Sequence, residues 1–458
     1  MERELTFTLL ICVALAVAGC GESNTTSGAG GSAGIGGIGG IGGNGGAGGE
    51  GGSGGVLGTP ALDPLDGTPR YAVVSSDFSS TSIAMLDEDF AVIDESWLNS
   101  GTTYPGLVAT LSGDVVLPNR QAGDGTLAVI DRFSTDVVTR FFVPSGNLNG
   151  QVRTHGEVGE TGFSSNPQDF IFVDEDSAWV PRYESNLNPS ASAENQGNDL
   201  FEINPSDMSA TGARIDLSSL NTTATVMTQD GPVEVDVFAR PSRGVLVGST
   251  IVVGLDRISA SFDAAGPGMV AVIDLEDESV EGLELTGLAS CGNAMPVPGA
   301  PTKVVVACVG FAQPFGDEPQ VRASSGIVLL DVGETDVTIE RLWRVSDHPA
   351  AAIAVNSVAA IDEQRVVGVA TGDFATTVDM LYLMNLATGA QELVRESSGS
   401  FVIGVSAYDL DSEMLYVPDA ADNVVLELAA SEGGFVEVGS TEIAPDLGLP
   451  PMKVYLLD

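Results

Sequence analysis

Only two imidazoles are available to this chain, His155 and His348, and both fall in segments that read as loops. A hydrolytic triad needs a nucleophile hydrogen-bonded to such a base, and nothing in the sequence marks a serine near either one. His348, within Asp347-His348-Pro349, reads as a residue that caps or packs a turn. Carboxylates are the plentiful alternative, with 63 Asp and Glu against 18 Lys and Arg. The acidic turns lack the Asp-x-Asp-x-Asp-Gly spacing of a calcium loop. Without a Cys-x-x-Cys, a zinc ribbon or thioredoxin-like site has no support. Asn166, Asp169, Asn293 and Asn356 stand where they could converge on a divalent ion such as Ca2+, if they project inward to a common axis. A second constellation is Arg120, Arg182, Tyr183, Arg257, Asp373 and Asp419, with Asp77 and Asp422. Its mixed charge would suit a polar or carboxylated ligand. The plainer reading is loop residues in mutual ion pairs.

The formal net charge is −45, and Lys303 and Lys453 are the only lysines. Such a field repels phosphate backbones and excludes DNA and RNA as partners. It is compatible with divalent ions, cationic partners or a solvated acidic surface.

Residues Leu5 to Ala18 are almost wholly apolar, and this run of 14 falls short of the ~20 residues that span a bilayer. The length suits the h-region of a secretory signal. It ends in Val17-Ala18-Gly19-Cys20, which resembles the lipobox of bacterial lipoproteins. The resemblance implies that residues 1–19 are a signal peptide and that Cys20 is diacylated and anchors the chain to a membrane. Gly21 rather than Asp after the cysteine implies the outer membrane, on a periplasmic or exposed surface. Residues 20–68 then form a Gly-rich linker, expected to be a disordered tether because it has too little apolar surface to order itself. Gly34-Ile35-Gly36-Gly37-Ile38-Gly39 fits the dinucleotide fingerprint and Gly51-Gly52-Ser53-Gly54-Gly55 fits the nucleophile elbow. Neither has the strand before it or the helix after it that the chemistry requires, so no cofactor is expected.

From residue 69 to residue 458 period-two apolar runs dominate. One unit recurs seven times, marked by a third run that ends in an acidic or amide residue: Met85-Leu86-Asp87, Thr126 to Asp131, Ile203-Asn204, Ile273-Asp274, Leu330-Asp331, Met384-Asn385 and Leu428-Ala429. The preceding second runs include Tyr71-Ala72-Val73-Val74, Val115-Val116-Leu117-Pro118-Asn119, Val304-Val305-Val306-Ala307 and Leu415-Tyr416-Val417-Pro418. Four antiparallel strands repeated seven times predict an all-β, seven-bladed β-propeller. The terminal Asp or Asn suits a turn, since its side chain can accept from the backbone two residues on. Leu415-Tyr416-Val417-Pro418-Asp419 and Val116-Leu117-Pro118-Asn119 resemble the YVTN-repeat class of propellers. That resemblance implies a binding or scaffold module.

The first unit lacks an inner strand, and Met452 to Leu457 is an orphan run, so the C-terminal strand is expected to close the ring. Cys291 and Cys308 flank the turn Pro298-Gly299-Ala300-Pro301 and should face each other across adjacent strands, close enough for a disulfide. Antiparallel order puts the turns after first and third strands at one end, including Asp87, Asp131, Asp274 and Asp331. The loops after second and fourth strands lie at the other, with insertions at 144–165, 183–198, 218–237, 257–268 and 309–326. Long loops on a rigid scaffold are where binding function sits. The expectation is a monomeric binding propeller for an unknown protein or small molecule. The alternative is a lactonase-like hydrolase with a divalent metal in the central tunnel.

Overall fold

In the computed structural model, residues 62–102, 107, 111–155, 163–313, 318–334, 336–372 and 376–457 are described. Cys20, the signal and most of the linker lie outside them. Seven four-stranded antiparallel sheets are arranged as the blades of a propeller. The first blade is closed by the C-terminal strand. Pro451–Leu456 pairs with Tyr71–Ser76 in the register Tyr71↔Leu456 to Val74↔Lys453, and Thr81–Leu86 and Val92–Asn99 continue outward. The third to seventh blades begin at Ile171, Pro241, Asn293, Asn356 and Ala407, and each is a simple meander.

Alternating Val, Ile and Leu make these strands, because β-branched side chains stand well on a pleated surface that is covered on both faces. Tyr71 to Val74 and Val304 to Val306 are buried throughout. Seven apolar clusters fill the seven interfaces between neighbouring blades. An eighth, smaller one lies under the Thr222–Thr228/Gly231–Val237 hairpin. Each fully buried aliphatic residue in them contributes about 1.5–3 kcal/mol, so the interfaces rather than the single sheets hold the ring. Leu62 and Leu65, in the stretch read as linker, are buried in the cluster between the first two blades. The Trp97 indole donates to the Asp63 carbonyl at 3.0 Å.

The second blade departs from the sequence expectation. Val115–Val116 is the first strand of its sheet and Thr126–Asp131 the second, followed by Val137–Phe142 and Leu148–Arg153. Both runs therefore sit one strand further in than their spacing suggests. Asp131 consequently lies at the long-loop end, where it accepts from the backbone and hydroxyl of Ser112 at 2.7 and 2.6 Å. Residues 144–165 are not one loop, since Leu148–Arg153 is the outermost strand. Repeat spacing misled here because apolar alternation is the same in every strand of a blade; only the hydrogen-bonded partners distinguish first from second.

At four of the other stops the turn reading holds, whereas Asp331 lies within the strand Gly326–Val332 and pairs with Lys303 at 3.0 Å. Asp87, Asn204, Asp274 and Asn385 each accept from the backbone N–H two residues on, at 2.8–3.0 Å. The predicted disulfide is formed: Cys291 and Cys308 are bonded, with Cα atoms 3.9 Å apart.

Candidate functional site

At the long-loop end, side-chain acceptors of one blade hold the backbone entering the next. Asp136 accepts from Asn166 N at 2.8 Å, Asn198 from Arg240 N at 2.8 Å, and Asp256 from Gly292 N at 3.1 Å. Asp379 accepts from Phe401, Val402 and Ile403 N at 2.7–2.9 Å. A carboxylate ringed by N–H donors satisfies backbone that would otherwise be buried unpaired. Much of the acidity at this end is therefore structural.

The same holds for most of the residues singled out as a ligand ring. Arg182 is fully buried between Asp199, at 2.7 and 2.6 Å, and the Thr154 carbonyl at 2.9 Å, with its guanidinium over the Phe201 ring. Tyr183 is buried beneath the Arg240 guanidinium, 4.9 Å from its ring centre. Its hydroxyl stands beside the Asp256 carboxyl, and burial pushes its pKa well above the usual value. Arg257 donates to the carbonyls of Pro267 and Leu220, both at 3.0 Å. Asp419 accepts from Ser397 Oγ at 2.9 Å and Ala421 N at 3.1 Å. Arg120 is exposed on the connection from the first to the second strand of its blade, which leads to the short-turn end. Asp373 lies outside the described residues. Of the five described, Arg182, Tyr183, Arg257 and Asp419 are engaged within the fold, and Arg120 lies on the connection toward the other end.

It gathers a different set on the axis. Asn119 leaves the first strand of the second blade and crosses the centre. Its backbone N–H donates to Asp169 of the third blade at 3.2 Å, and its side-chain amide to Gly244 O of the fourth at 3.4 Å and Ala294 O of the fifth at 2.6 Å. Two carbonyl partners require that this side of the amide be the NH2. Arg243 donates to Leu117 O at 2.8 Å and faces Asp169 at 3.5 Å. Asp169 also accepts from Gly244 N at 3.0 Å and Phe170 N at 2.9 Å. Burial raises its pKa, with Arg243 and these N–H groups opposing. Closer to the long-loop end, Arg132 pairs with Asp114 and donates to Gln168 Oε1 at 3.0 Å.

Lys453, from the closing strand, completes the set. Its ammonium reaches Val115 O at 3.4 Å, and among the described residues no carboxylate pairs with it. Burial drives its pKa well below the usual lysine range; Arg132 and Arg243 add repulsion and Asp114 opposes it. Lys453 nevertheless keeps part of its surface open. Two signals in the sequence pointed here: one of only two lysines, placed within an apolar run.

Of the amide and carboxylate set considered for a metal, Asp169 is bound as above, and Asn166 Oδ1 accepts from Gln168 at 2.7 Å. Asn356 donates to Thr371 Oγ1 at 3.2 Å. Asn293 begins the fifth blade's inner strand, next to Ala294. Among the described residues no three His, Cys, Asp or Glu side chains come together as a metal site. His348 stacks on Trp343, ring centres 5.4 Å apart, and His155 lies 4.0 Å from Asp136.

No family model matches this sequence, and no curated protein does. Solved structures are similar in fold. A hypothetical selenium-binding protein from Sulfolobus tokodaii aligns with a TM-score of 0.51 at 11% identity, covering 87% of this chain and 97% of that one. A candidate 6-phosphogluconolactonase from Bacteroides fragilis aligns with a TM-score of 0.47 at 10% identity, covering 86% and 99%. A protein from Lactobacillus plantarum gives 0.46 at 12%, covering 86% and 100%. At such identities the likeness speaks to the fold alone.

Proposed function

We propose that this chain is an exported, lipid-anchored binding propeller whose ligand enters at the long-loop end. Cys20 carries the anchor, the glycine-rich stretch is the tether, and the propeller presents its long-loop end to a small molecule or protein. The observation that supports this reading is the asymmetry of the two ends. One end has mostly short turns closed by their own Asp and Asn side chains. The other collects the Thr222–Thr228/Gly231–Val237 hairpin, the Glu318–Ser324 helix and the connections 186–196 and 256–268, around an axis where, among the described residues, no carboxylate pairs with Lys453. The hydrolase alternative has less in its favour: Asp169 and Asn166 are already engaged, and His348 is stacked on Trp343.

Palmitate labelling of the expressed full chain tests the anchor: label should be retained by the wild type and lost in Cys20→Ser. Photo-crosslinkers placed at residues 187 and 227, against 276 and 410 at the other end, test the binding face. Crosslinks confined to 276 and 410, or an unlabelled wild type, would overturn the proposal.

A further inference from the structure

The three cations on the axis are unusual in a chain with 63 acidic and 18 basic residues. Two of them are balanced. Arg132 pairs with Asp114, and Arg243 faces Asp169 at 3.5 Å. Lys453 is the remainder, set within electrostatic reach of both arginines, and among the described residues its ammonium bonds a carbonyl and no carboxylate. With Asp114 and Asp169 both ionised, these five groups balance while Lys453 is neutral and carry one positive charge once it is protonated. An enclosed positive charge with low-dielectric walls has a field far larger than the same charge on a wet surface. The arginine forks are occupied by Asp114, Gln168, Leu117 O and Asp169, so they orient the field. The lysine, a compact point charge with three donors and one weak contact, remains to meet a guest.

We infer that an axial channel reaches Lys453 and binds there a small oxyanion, a carboxylate or phosphate group of a low-molecular-weight ligand, with Arg132 and Arg243 supplying the surrounding field. This rests on the reading that ligands enter at the long-loop end, and it names their chemistry. Binding restores the missing counter-charge, so it draws a proton onto Lys453, and affinity falls as pH rises. The groups facing Lys453 are Arg132, Arg243 and Asp114. The acidic exterior repels the same ligand, so added salt speeds its entry by screening that repulsion.

The scarcity of lysine makes the test clean. Acetic anhydride, small and uncharged, is applied to the full chain near neutral pH, and acetylation of Lys453 and Lys303 is followed by mass spectrometry. Lys303, paired with Asp331 at 3.0 Å and Glu340 at 2.6 Å, is the internal control. Lactate and inorganic phosphate are the oxyanion probes; acetamide and tetramethylammonium are the neutral and cationic ones. An oxyanion at ten times its dissociation constant should slow Lys453 acetylation about tenfold while leaving Lys303 unchanged, since only free protein reacts. Whether lactate or phosphate protects distinguishes carboxylate from phosphate ligands. Unprotected acetylation in all four, or equal loss at both lysines, overturns the oxyanion site. Protection by acetamide or tetramethylammonium overturns the oxyanion chemistry while leaving the channel mouth as the ligand entrance. Failure to acetylate Lys453 at all, with Lys303 modified, shows the channel closed and removes both readings.

Discussion

The side-chain amide of Asn119 donates to the carbonyl oxygen of Ala294 at 2.6 Å, joining the second blade to the fifth across the propeller axis. With its backbone bond to Asp169 and the second amide contact to Gly244 O, one residue ties four blades together. Arg243 of the fourth blade makes another such crossing, donating to Leu117 O of the second at 2.8 Å.

Replacing Asn119 by Ala leaves the Ala294 carbonyl without this donor, at a cost of about 1–3 kcal/mol. Asn119→Asp should cost more, because it sets a carboxylate against two carbonyl oxygens. Chemical denaturation of the two variants checks the order. An Asp variant as stable as wild type would show that the crossing is not maintained in solution.

Truncation after residue 449 removes the strand that pairs with Tyr71–Ser76 and buries Val454. It exposes two inner edges at once, so the whole propeller should lose cooperativity rather than fray at one blade. Calorimetry decides. A truncated chain that melts like the parent refutes closure by this strand.

Ring closure also uses Asp409, which accepts from Tyr71 Oη at 2.6 Å and from Arg70 at 2.8 and 3.0 Å. Burial alone would raise its pKa, but Arg70 and Tyr71 win and hold it at about 2, against 3.8. A carboxylate whose folded pKa lies below its unfolded value stabilises the fold above the unfolded value. That contribution is lost as pH falls from 3.8 towards 2. Asp409→Asn should therefore be less stable than wild type at pH 7, on the order of 1.5–3 kcal/mol for hydrogen bonds to a charged group. The gap should narrow as pH falls below 4, and a constant gap would contradict the clasp.

Asp131 is the opposite case. Burial pushes its pKa up to about 6, with the two Ser112 bonds working against the shift and Asp114 adding to it. Here the favourable contribution is present below pH 3.8 and is lost as pH rises towards 6. Relative to wild type, Asp131→Asn should gain stability across that window. Melting curves of both proteins between pH 4 and 7 measure it, and a pH-independent difference would exclude the shift.

The Cys291–Cys308 bridge closes a short loop, with a sequence separation of 17 residues. In the chain-entropy picture such a loop contributes about 3 kcal/mol. The double serine variant should unfold at lower denaturant, and reductant should bring the wild type to the same midpoint. Equal midpoints without reductant would show that the bond does not form in the expressed protein.

The seven-fold architecture, the closing strand, the disulfide and the turn residues Asp87, Asn204, Asp274 and Asn385 were legible in the sequence, because each rests on local periodicity or on short spacings. Asp131 shows where legibility stopped. Its run has the right alternation and the right acidic stop, yet it is the second strand of its blade, and that difference moved Asp131 to the other end of the propeller. Arg182 and Tyr183 looked like loop residues available to a ligand, but burial between blades commits them to the scaffold.

The axial cluster had no pattern to read. Asn119, Asp169, Arg243 and Lys453 come from four different blades and lie up to 334 residues apart in the numbering. By itself the sequence determined how many blades form and which strand closes them, since alternation and short turns are properties of neighbouring residues. Only the tertiary structure decided which charges face one another. Closing the ring brings the inner strands of every blade to one axis, where a lysine unremarkable in its own strand meets two arginines and, among the described residues, no carboxylate of its own.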